Sequence, residues 1–195
     1  MSAPRFIWRD YVHVPLDRVG ALIGEGGRVK REIERRLGVE LKIDSESGVV
    51  EVKLREGGDP SRLFKAKDVV TAIASGFSPE RAFKLVDDDV SLAIVDLREY
   101  VGDSEKDLVR IKGRIIGEEG RARKFIEEAT GALVSVYGDK VAIIGDFESL
   151  EIAKRAVEML AEGRQHSTVY RFLMAKRREL KRRRMMAMYG VEEGG

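Results

Sequence analysis

The sequence contains the same segment twice, and this internal repeat limits the possible folds more than any other feature. The first copy starts at Ala21 with ALIGEGGRVKREIERRLGVELKI, and it aligns without gaps with RIIGEEGRARKFIEEATGALVSV, which starts at Arg114. Further along, SRLFKAKDVVTAIASG matches ESLEIAKRAVEMLAEG, after a small deletion in the second copy. Pairs that coincide at this offset include Gly20 and Gly113, Gly24 and Gly117, Gly27 and Gly120, Arg28 and Arg121, Ile33 and Ile126, and Gly38 and Gly131. A repeat unit of about 70 residues predicts two similar small domains.

Hydrophobic periodicity predicts the same order of elements in both copies. Alternating apolar residues indicate a first strand in DYVHVP (10–15) and, less regularly, in VSLAIVDL (90–97). After the glycine-rich turn, apolar residues at three- to four-residue spacing predict a helix that ends at Gly38 or Gly131. Two strands with period two and a final amphipathic helix follow. The predicted fold class is therefore α+β, with a three-stranded sheet and three helices in each of two tandem domains, and a basic helix at the C-terminus.

The repeat also predicts where the domains begin and end. We expect the first domain at 8–77, the second at 90–163, and the basic C-terminal helix and tail at 164–195. The stretch between the copies, SPERAFKLVDDD, starts with a serine and a proline, which together favour the start of a helix. We therefore expect a helical connector at 78–89 rather than a flexible linker.

Basic residues are concentrated near the C-terminus. The formal net charge of the whole chain is only +2, but the segment 163–190 contains nine Lys or Arg and a single acidic residue. The rest of the chain has an excess of acidic residues. A basic segment on an acidic body predicts binding to a polyanion. The side chains that we expect to contact it are Lys176, Arg177, Lys181, Arg182 and Arg183.

The Ile-Gly-x-x-Gly stretch between two helices resembles the loop of the K-homology (KH) domain, and the helix after the last strand matches the type I arrangement. In KH domains this loop holds the backbone of about four single-stranded nucleotides. The resemblance implies that the glycines let phosphates come close, and that amides at the start of the next helix face them. The implied loop residues are Gly24, Glu25, Gly26 and Gly27 in the first domain, and Ile116, Gly117, Glu118, Glu119 and Gly120 in the second.

Basic residues beside the two loops are expected to contact the RNA. They are Arg28, Lys30 and Arg31 in the first domain, and Arg110, Lys112, Arg114, Arg121, Arg123 and Lys124 in the second. Both loops depart from the usual KH pattern. They carry glutamates where a basic residue is common, and a basic residue, Lys30 or Arg123, stands where an apolar one is usual. Because three basic residues precede the second loop, the second domain is the better candidate for the clamp.

A longer resemblance involves the second copy, RIKGRIIGEEGRARKFIEEATGALVSVYGDKVAIIG, and the HSTVYRFL that follows. This stretch is similar to archaeal members of the partner-of-Nob-one family, also called Dim-two. These tandem KH proteins assist the maturation of the small ribosomal subunit. The resemblance implies binding to single-stranded RNA near the 3′ end of the small-subunit ribosomal RNA, beside the endonuclease that trims it and other small-subunit assembly factors. It also implies that the chain itself is not an enzyme.

The sequence excludes several kinds of chemistry. It contains no cysteine, so thiolate zinc sites, disulfides and cysteine nucleophiles are excluded. The two histidines, His13 and His166, are far apart in the sequence and make a weak case for a metal site. The nucleotide-binding P-loop spacing and a carboxylate with a partnered base are also missing. We therefore expect no cofactor, no metal and no catalytic activity.

Two further expectations concern location and an alternative function. The first ten residues lack the apolar stretch of a secretory signal, and no apolar run is long enough to span a bilayer, so we expect a cytoplasmic protein that does not bind membranes. The acidic loops also allow a different interpretation, in which the KH loops no longer touch RNA and the basic tail docks a protein. The chain would then be a protein-binding scaffold.

Overall fold

The computed structural model describes residues 8–189 of the 195-residue chain. The chain forms two compact units, Met1–Leu92 and Ala93–Gly195. Residues 190–195, the end of the predicted basic tail, lie outside the described residues. None of the described helices is long enough and apolar enough to cross a membrane.

The first unit contains a three-stranded sheet with helices packed on one face. Its elements are β1 (Arg9–His13), α1 (Leu16–Ile23), α2 (Arg28–Leu37), β2 (Val39–Ile43), β3 (Val49–Leu54) and α3 (Pro60–Ala74). β3 lies between β1 and β2 and is antiparallel to both. Alternate residues of β3, such as Val50 and Val52, are fully buried, as are Ile33 of α2 and Ile73 of α3. The period-two and helical patterns of the sequence therefore mark the residues that form this core.

The segment between the two copies of the repeat packs against α3 in the first unit. It forms a short helix, α4 (Pro79–Ala82), and a 3-10 turn, Phe83–Val86. Leu85 is fully buried. Nζ of Lys65 in α3 donates a hydrogen bond to the backbone oxygen of Asp87 at 2.7 Å. Buried apolar contact and this hydrogen bond hold the segment in place, so it is not an extended linker.

The second unit repeats this order of elements and adds two helices. Its elements are β4 (Ser91–Asp96), α5 (Arg98–Val101), α6 (Glu105–Ile116), α7 (Arg121–Thr130), β5 (Leu133–Tyr137), β6 (Lys140–Gly145), α8 (Phe147–Ala161) and α9 (His166–Tyr189). β6 lies between β4 and β5. The short α5 was not predicted from the sequence and has no counterpart among the described helices of the first unit.

The first turns of the C-terminal helix α9 pack into the hydrophobic core of the second unit. Val169 and Leu173 are fully buried among residues from the sheet and from the other helices. The ring of Tyr170 lies against that of Phe125 in α7, with 4.4 Å between the centroids. The predicted fold class, α+β with two KH domains and a basic C-terminal helix, is confirmed. The sequence predicted mainly a basic arm here, whereas the first turns of the helix are part of the hydrophobic core of the second unit.

Candidate nucleic-acid interface

The two Gly-x-x-Gly loops have the same backbone conformation. A 3-10 turn, Glu25–Gly27 in the first unit and Glu118–Gly120 in the second, joins the two helices on either side. The first glycine of the motif has a φ of 72° in one unit and 73° in the other, and the last glycine has values of 81° and 75°. Residues with a side chain rarely adopt these positive φ values. The glycines are therefore required by the shape of the turn.

The first glycine of each motif also lacks room for a side chain. A Cβ at Gly24 or Gly117 would lie 2.9 or 2.7 Å from the backbone nitrogen of the residue five positions later. A Cβ at Gly120, by contrast, would meet only the guanidinium of Arg123, at 4.0 Å. The first glycine thus lets the next helix pack against the loop, whereas Gly120 leaves open space where a ligand could approach.

The two loops differ at the third position of the motif. Gly26 has a φ of 55° in the first unit, and Glu119 has nearly the same value, 52°, in the second. Glu119 is the one non-glycine residue with positive φ in the range 8–189. This conformation costs a residue with a Cβ about 1 kcal/mol or more. The side chains of Glu118 and Glu119 are both exposed, so the second loop presents two negative charges at its tip.

The helix after each loop begins with backbone amides that no side chain caps. α2 follows Gly27 and α7 follows Gly120, and neither glycine can supply a capping group. The first amides of a helix need a hydrogen-bond acceptor and carry the positive end of the helix dipole. Arg28 and Arg121, the first residue of each helix, are exposed beside them. Each loop can therefore offer amides and a positive charge to a phosphate group.

A basic side chain folds back over the first loop but not over the second. Nη1 of Arg31 donates a hydrogen bond to the backbone oxygen of Gly26 at 2.7 Å. The same nitrogen would be 2.9 Å from a Cβ at Gly27. The counterpart of Arg31 in the second unit is Lys124, which is exposed and forms no hydrogen bond or ion pair within the described part of the chain. The first loop is therefore partly covered by its own helix, and the second is not.

The unusual basic residues Lys30 and Arg123 lie where the helix after each loop meets the strand that follows it, α2 with β2 and α7 with β5. In the second unit, Nη1 of Arg123 lies 3.3 Å from both Glu127 Oε1 and the backbone oxygen of Val134. Oε1 of Glu127 in turn accepts the backbone N–H of Val134 at 2.7 Å. In the first unit, Lys30 pairs with Glu34 at 3.9 Å, and Glu34 accepts the backbone N–H of a β2 residue at 2.9 Å. Arg123 therefore binds β5 directly, and Lys30 pairs with the carboxylate that binds β2, roles that the sequence did not reveal.

Arg114 also has a structural contact that the sequence did not predict. Its Nε lies 3.4 Å from the backbone oxygen of Leu160, and its Nη2 donates to the backbone oxygen of Arg164. In the first unit, Arg18 donates to the equivalent carbonyls of Ile73 and Phe77, at 2.9 and 2.7 Å. Both arginines bind the C-terminal end of the helix that follows the third strand of the unit, α3 or α8, where carbonyls lack helical partners. Part of the guanidinium of Arg114 is therefore already engaged within the protein.

The other two basic residues on α6 are placed differently from Arg114. Arg110 is exposed and forms an ion pair with Asp107 at 3.1 Å. A hydrogen bond from Ser104, together with this ion pair, lowers the pKa of Asp107, so its carboxylate stays charged at mildly acidic pH. Lys112 and Ile116 are half-buried. Of the three basic residues that were predicted on α6, Arg110 is thus the exposed one.

An open cleft of about 410 Å³ lies beside the second loop. Its lining includes Arg110, Gly113, Gly117, Arg121, His166 and Tyr170. Nε2 of His166 lies 2.8 Å from the backbone oxygen of Arg114, and its ring meets the edge of Tyr170 at 5.9 Å between centroids. The cleft therefore combines exposed cations and glycines with an aromatic wall contributed by α9. The sequence analysis missed Tyr170, although its spacing of four residues from His166 places both on one helix face.

The basic residues of α9 fall into two groups. Lys176 pairs with Glu179 at 2.8 Å, and Arg183 pairs with Glu148 at 2.6 Å and with Glu179 at 2.7 Å. The hydrogen bond from Lys176 and the charges around it lower the pKa of Glu179. Arg177, Lys181 and Arg182 are exposed, so their side chains can reach a polyanion from solvent. Between residues 8 and 189, no three His, Asp or Glu side chains are grouped so that they could hold a metal ion.

Two KH family models match the chain. A model of the KH domain matches residues 9–72, and a model described as the eukaryotic-type KH domain of type I matches residues 91–178. Together the two matches include both Gly-x-x-Gly loops and the first half of α9.

Relatives of the chain are found among proteins and among solved structures. A KH domain-containing protein of Methanocaldococcus jannaschii is 47% identical over 175 residues, which cover 90% of this chain and 77% of that protein. The RNA-binding protein pno1 of Ixodes scapularis is 29% identical over 161 residues, covering 82% of this chain and 69% of that protein. A chain in the crystal structure of the a/eIF2alpha–aDim2p–rRNA complex of Pyrococcus horikoshii is 45% identical, with a TM-score of 0.84, and the match covers 90% of this chain and 97% of that one.

Proposed function

This chain belongs to the PNO1 (Dim2) family of tandem KH-domain proteins, and from that membership we propose that it binds single-stranded ribosomal RNA as an assembly factor of the small ribosomal subunit. One relative is named an RNA-binding protein, and another was crystallised in a complex with rRNA. The family supports RNA as the ligand. The local geometry supports a choice between the two units.

The observation that carries this choice is the difference in access to the two loops. Arg31 lies over the first loop and is hydrogen-bonded to it, whereas the second loop opens into the cleft beside α9. We therefore assign the RNA clamp to the second unit. A phosphate would accept hydrogen bonds from the first amides of α7, while Arg121 adds positive charge beside it.

The cleft also provides a surface for a base. Tyr170 presents an aromatic ring next to Gly113 and Gly117, which have no side chains to block a ligand. Bases of single-stranded RNA stack on such rings, and each stacked base contributes about 1–3 kcal/mol. In this proposal the loop holds the backbone, and the ring of Tyr170 receives a neighbouring base.

The exposed cations of α9 would extend the contact along the RNA backbone. Arg177, Lys181 and Arg182 lie on the helix that forms one wall of the cleft, so they can follow a strand that leaves it. Contacts of this kind hold any RNA sequence equally well, and they weaken as salt increases. They would raise the affinity without selecting a sequence.

The remaining parts of the proposal follow from the family resemblance. The RNA would be the 3′ end of the small-subunit rRNA, and the processing endonuclease and other small-subunit assembly factors would bind nearby. The chain would position this RNA, and the proposal assigns it no catalytic step. It would act in the cytoplasm.

The test is a titration of the full chain with two short single-stranded RNAs. One has the sequence of the 3′ end of the small-subunit rRNA, and the other has the same composition in scrambled order. We expect tighter binding of the first RNA. Contacts to the RNA backbone are the same for both oligomers, whereas contacts to the bases in the cleft depend on the sequence. Equal binding of both RNAs would contradict sequence recognition, and no binding of either would favour the scaffold alternative.

A further inference from the structure

The distal end of α9 carries a row of apolar side chains that the described part of the protein leaves uncovered. Leu180 is the last buried residue of the helix, which continues to Tyr189. Beyond Leu180, one side of the helix is fastened to the start of α8. On another side, the exposed fractions are 50% for Met185, 78% for Met188 and 74% for Tyr189. Several exposed apolar side chains close together mark an interaction site more often than single ones do.

These side chains continue a basic face of the same helix. The residues that line a shallow hollow of about 430 Å³ here are Arg178, Lys181, Arg182, Met185, Met186 and Tyr189. We call them the distal stripe. Their spacing of three or four residues places them along one face of α9, and the stripe extends for about 17 Å at the helical rise of 1.5 Å per residue. One end of the stripe is cationic and the other is apolar.

The fastening of α9 keeps this stripe turned away from the fold. Nη1 of Arg183 pairs with Glu148 at 2.6 Å, and Nη2 of Arg184 lies 3.8 Å from Asp146. Both partners lie at the start of α8. These ion pairs fix the rotation of the helix, so burying the stripe against α8 would require breaking them.

The chemistry of the stripe favours a protein helix over RNA. Phosphates would pair with the arginines and the lysine, but they gain nothing from Met185 and Met186 in the stripe or from the exposed Met188 next to it in the sequence. Methionine side chains are flexible and polarisable, and they adapt to apolar side chains of varied shape. A helix with apolar residues at positions i, i+3, i+4 and i+7 and acidic residues at its flank would complement both ends. The six residues after Tyr189, GVEEGG, contain a single large apolar residue, which does not match an apolar and basic stripe of about three helical turns.

We propose that the distal stripe docks an acidic amphipathic helix of a partner protein. The apolar face of the partner lies on Met185, Met186 and Tyr189, and its acidic residues face Arg178 and Lys181. The site is separate from the RNA clamp, because the clamp uses the N-terminal turns of α9 and the loop before α7. RNA held in the clamp and the protein partner can therefore bind the same chain at once, and they share only Lys181 and Arg182, which RNA leaving the cleft would also contact.

Methionine methyl groups provide a direct probe of this site. The full chain is labelled with carbon-13 at its methionine methyls and titrated with a synthetic acidic helix of about 14 residues that has leucines at helical spacing and glutamates elsewhere. We expect the signals of Met185, Met186 and Met188 to shift together. Met159, which is packed against the core of the second unit, should stay in place and serves as the internal reference.

Three controls decide the outcome. A peptide of the same composition with its leucines scattered around the helix should bind at least about tenfold more weakly. Met185→Glu with Met186→Glu should reduce affinity for the acidic helix about tenfold or more, whereas Val109→Glu, at a residue that is 69% exposed on α6, should not. The proposal is overturned if the two peptides bind equally well, or if the double variant binds like the parent. It is also overturned if a single-stranded RNA shifts these methionines as strongly as the acidic helix does and displaces that helix completely, since the stripe would then be a general polyanion site.

Discussion

The two Gly-x-x-Gly loops share one backbone conformation but differ in what surrounds them. In the first unit, the loop is covered by Arg31, and the described part of that unit has no counterpart of the long helix α9. In the second unit, Lys124 leaves the loop uncovered, and α9 adds an aromatic wall. The backbone therefore determines only that each loop can receive a phosphate. The neighbouring side chains determine which loop is accessible.

The same comparison explains why the acidic loops are compatible with RNA binding. The second loop has two glutamates against one in the first, so its own charge is less favourable for phosphates. It is nevertheless the more open loop, with Arg110, Arg121 and Tyr170 around it. Repulsion at the loop tip weakens binding to any RNA backbone, which leaves base contacts to contribute a larger share of the discrimination. The predictions below test this assignment, beginning with the largest expected effect.

Gly120→Asp should cause the largest loss of RNA affinity. The new Cβ has room, but the carboxylate would lie at the start of α7, where the phosphate is proposed to bind. Losing charge-assisted hydrogen bonds there costs about 2–3 kcal/mol, which corresponds to about 30- to 150-fold in affinity. Fluorescence anisotropy with the rRNA 3′-end oligomer measures the change. Gly117 is a poor site for this test, because its Cβ would collide with the backbone of α7.

Two matched variants make the comparison between the units decisive. Asparagine can adopt the positive φ of this position and carries no charge, so Gly120→Asn should retain most of the affinity that Gly120→Asp loses. Gly27→Asp makes the equivalent change in the first unit, and we expect it to alter affinity by less than about threefold. Equal losses in Gly27→Asp and Gly120→Asp would remove the distinction between the loops.

Tyr170→Ala should cause the next largest effect. Loss of one stacked base costs about 1–3 kcal/mol, so we expect affinity for the oligomer to fall about tenfold. Tyr170→Phe keeps the ring and should bind nearly as well as the parent. Because the ring also packs on Phe125, circular dichroism must show that the alanine variant is still folded. If a folded Tyr170→Ala protein binds RNA normally, α9 contributes no base platform and the second unit loses its main distinguishing feature.

Neutralising exposed cations of α9 should change the salt dependence of binding. The double change Arg177→Gln and Lys181→Gln removes two phosphate contacts, so the slope of log K against log salt should become shallower by about 1.4 for single-stranded RNA. Removing the whole helix is not a useful experiment, because Val169 and Leu173 are part of the core. Lys106→Gln, on the exposed start of α6, is the control. An unchanged slope in the double variant would show that α9 does not contact the RNA backbone.

Glu119→Gly should have the smallest effect on RNA binding and a measurable effect on stability. The change removes a side chain from a residue with a φ of 52°, which should raise the free energy of unfolding by about 1 kcal/mol. The reverse change in the first loop, Gly26→Glu, should lower it by a similar amount. Urea denaturation measures both. RNA affinity should increase slightly and equally for the cognate and scrambled oligomers, and a gain limited to the cognate RNA would contradict the proposed role of the charge.

The sequence was sufficient to predict the fold because each element leaves a local signal. Apolar residues alternate in β3 and recur every three to four residues around Ile33, and these patterns predict which residues face the core. The repeat shows the same patterns in a second copy. The Gly-x-x-Gly turns were equally visible, since positive φ values restrict the residue type. The one element that was missed, α5, has only four residues, too few for any periodicity to appear.

The surroundings of the site could not be predicted, because they depend on contacts between residues distant in the sequence. Arg18 and Arg114 perform the same task from positions three residues apart in the repeat alignment, so the alignment hides their equivalence. Arg123 was interpreted as a phosphate ligand, whereas the structure shows it bound to β5. The cleft exists only because α9 returns to pack against α7. Nothing in the spacing of His166 and Tyr170 indicates which surface they will meet.

The central claim is that RNA enters through the second loop and not through the first. Amide NMR of the nitrogen-15-labelled full chain, titrated with the rRNA 3′-end oligomer, tests it without any substitution. The account predicts that the amide signals of Gly120, Arg121 and Ala122 shift at the lowest RNA concentrations, while those of Gly27 and Arg28 stay in place. If the first-loop amides shift first, or if both loops respond at the same RNA concentration, the assignment of the clamp to the second unit is wrong.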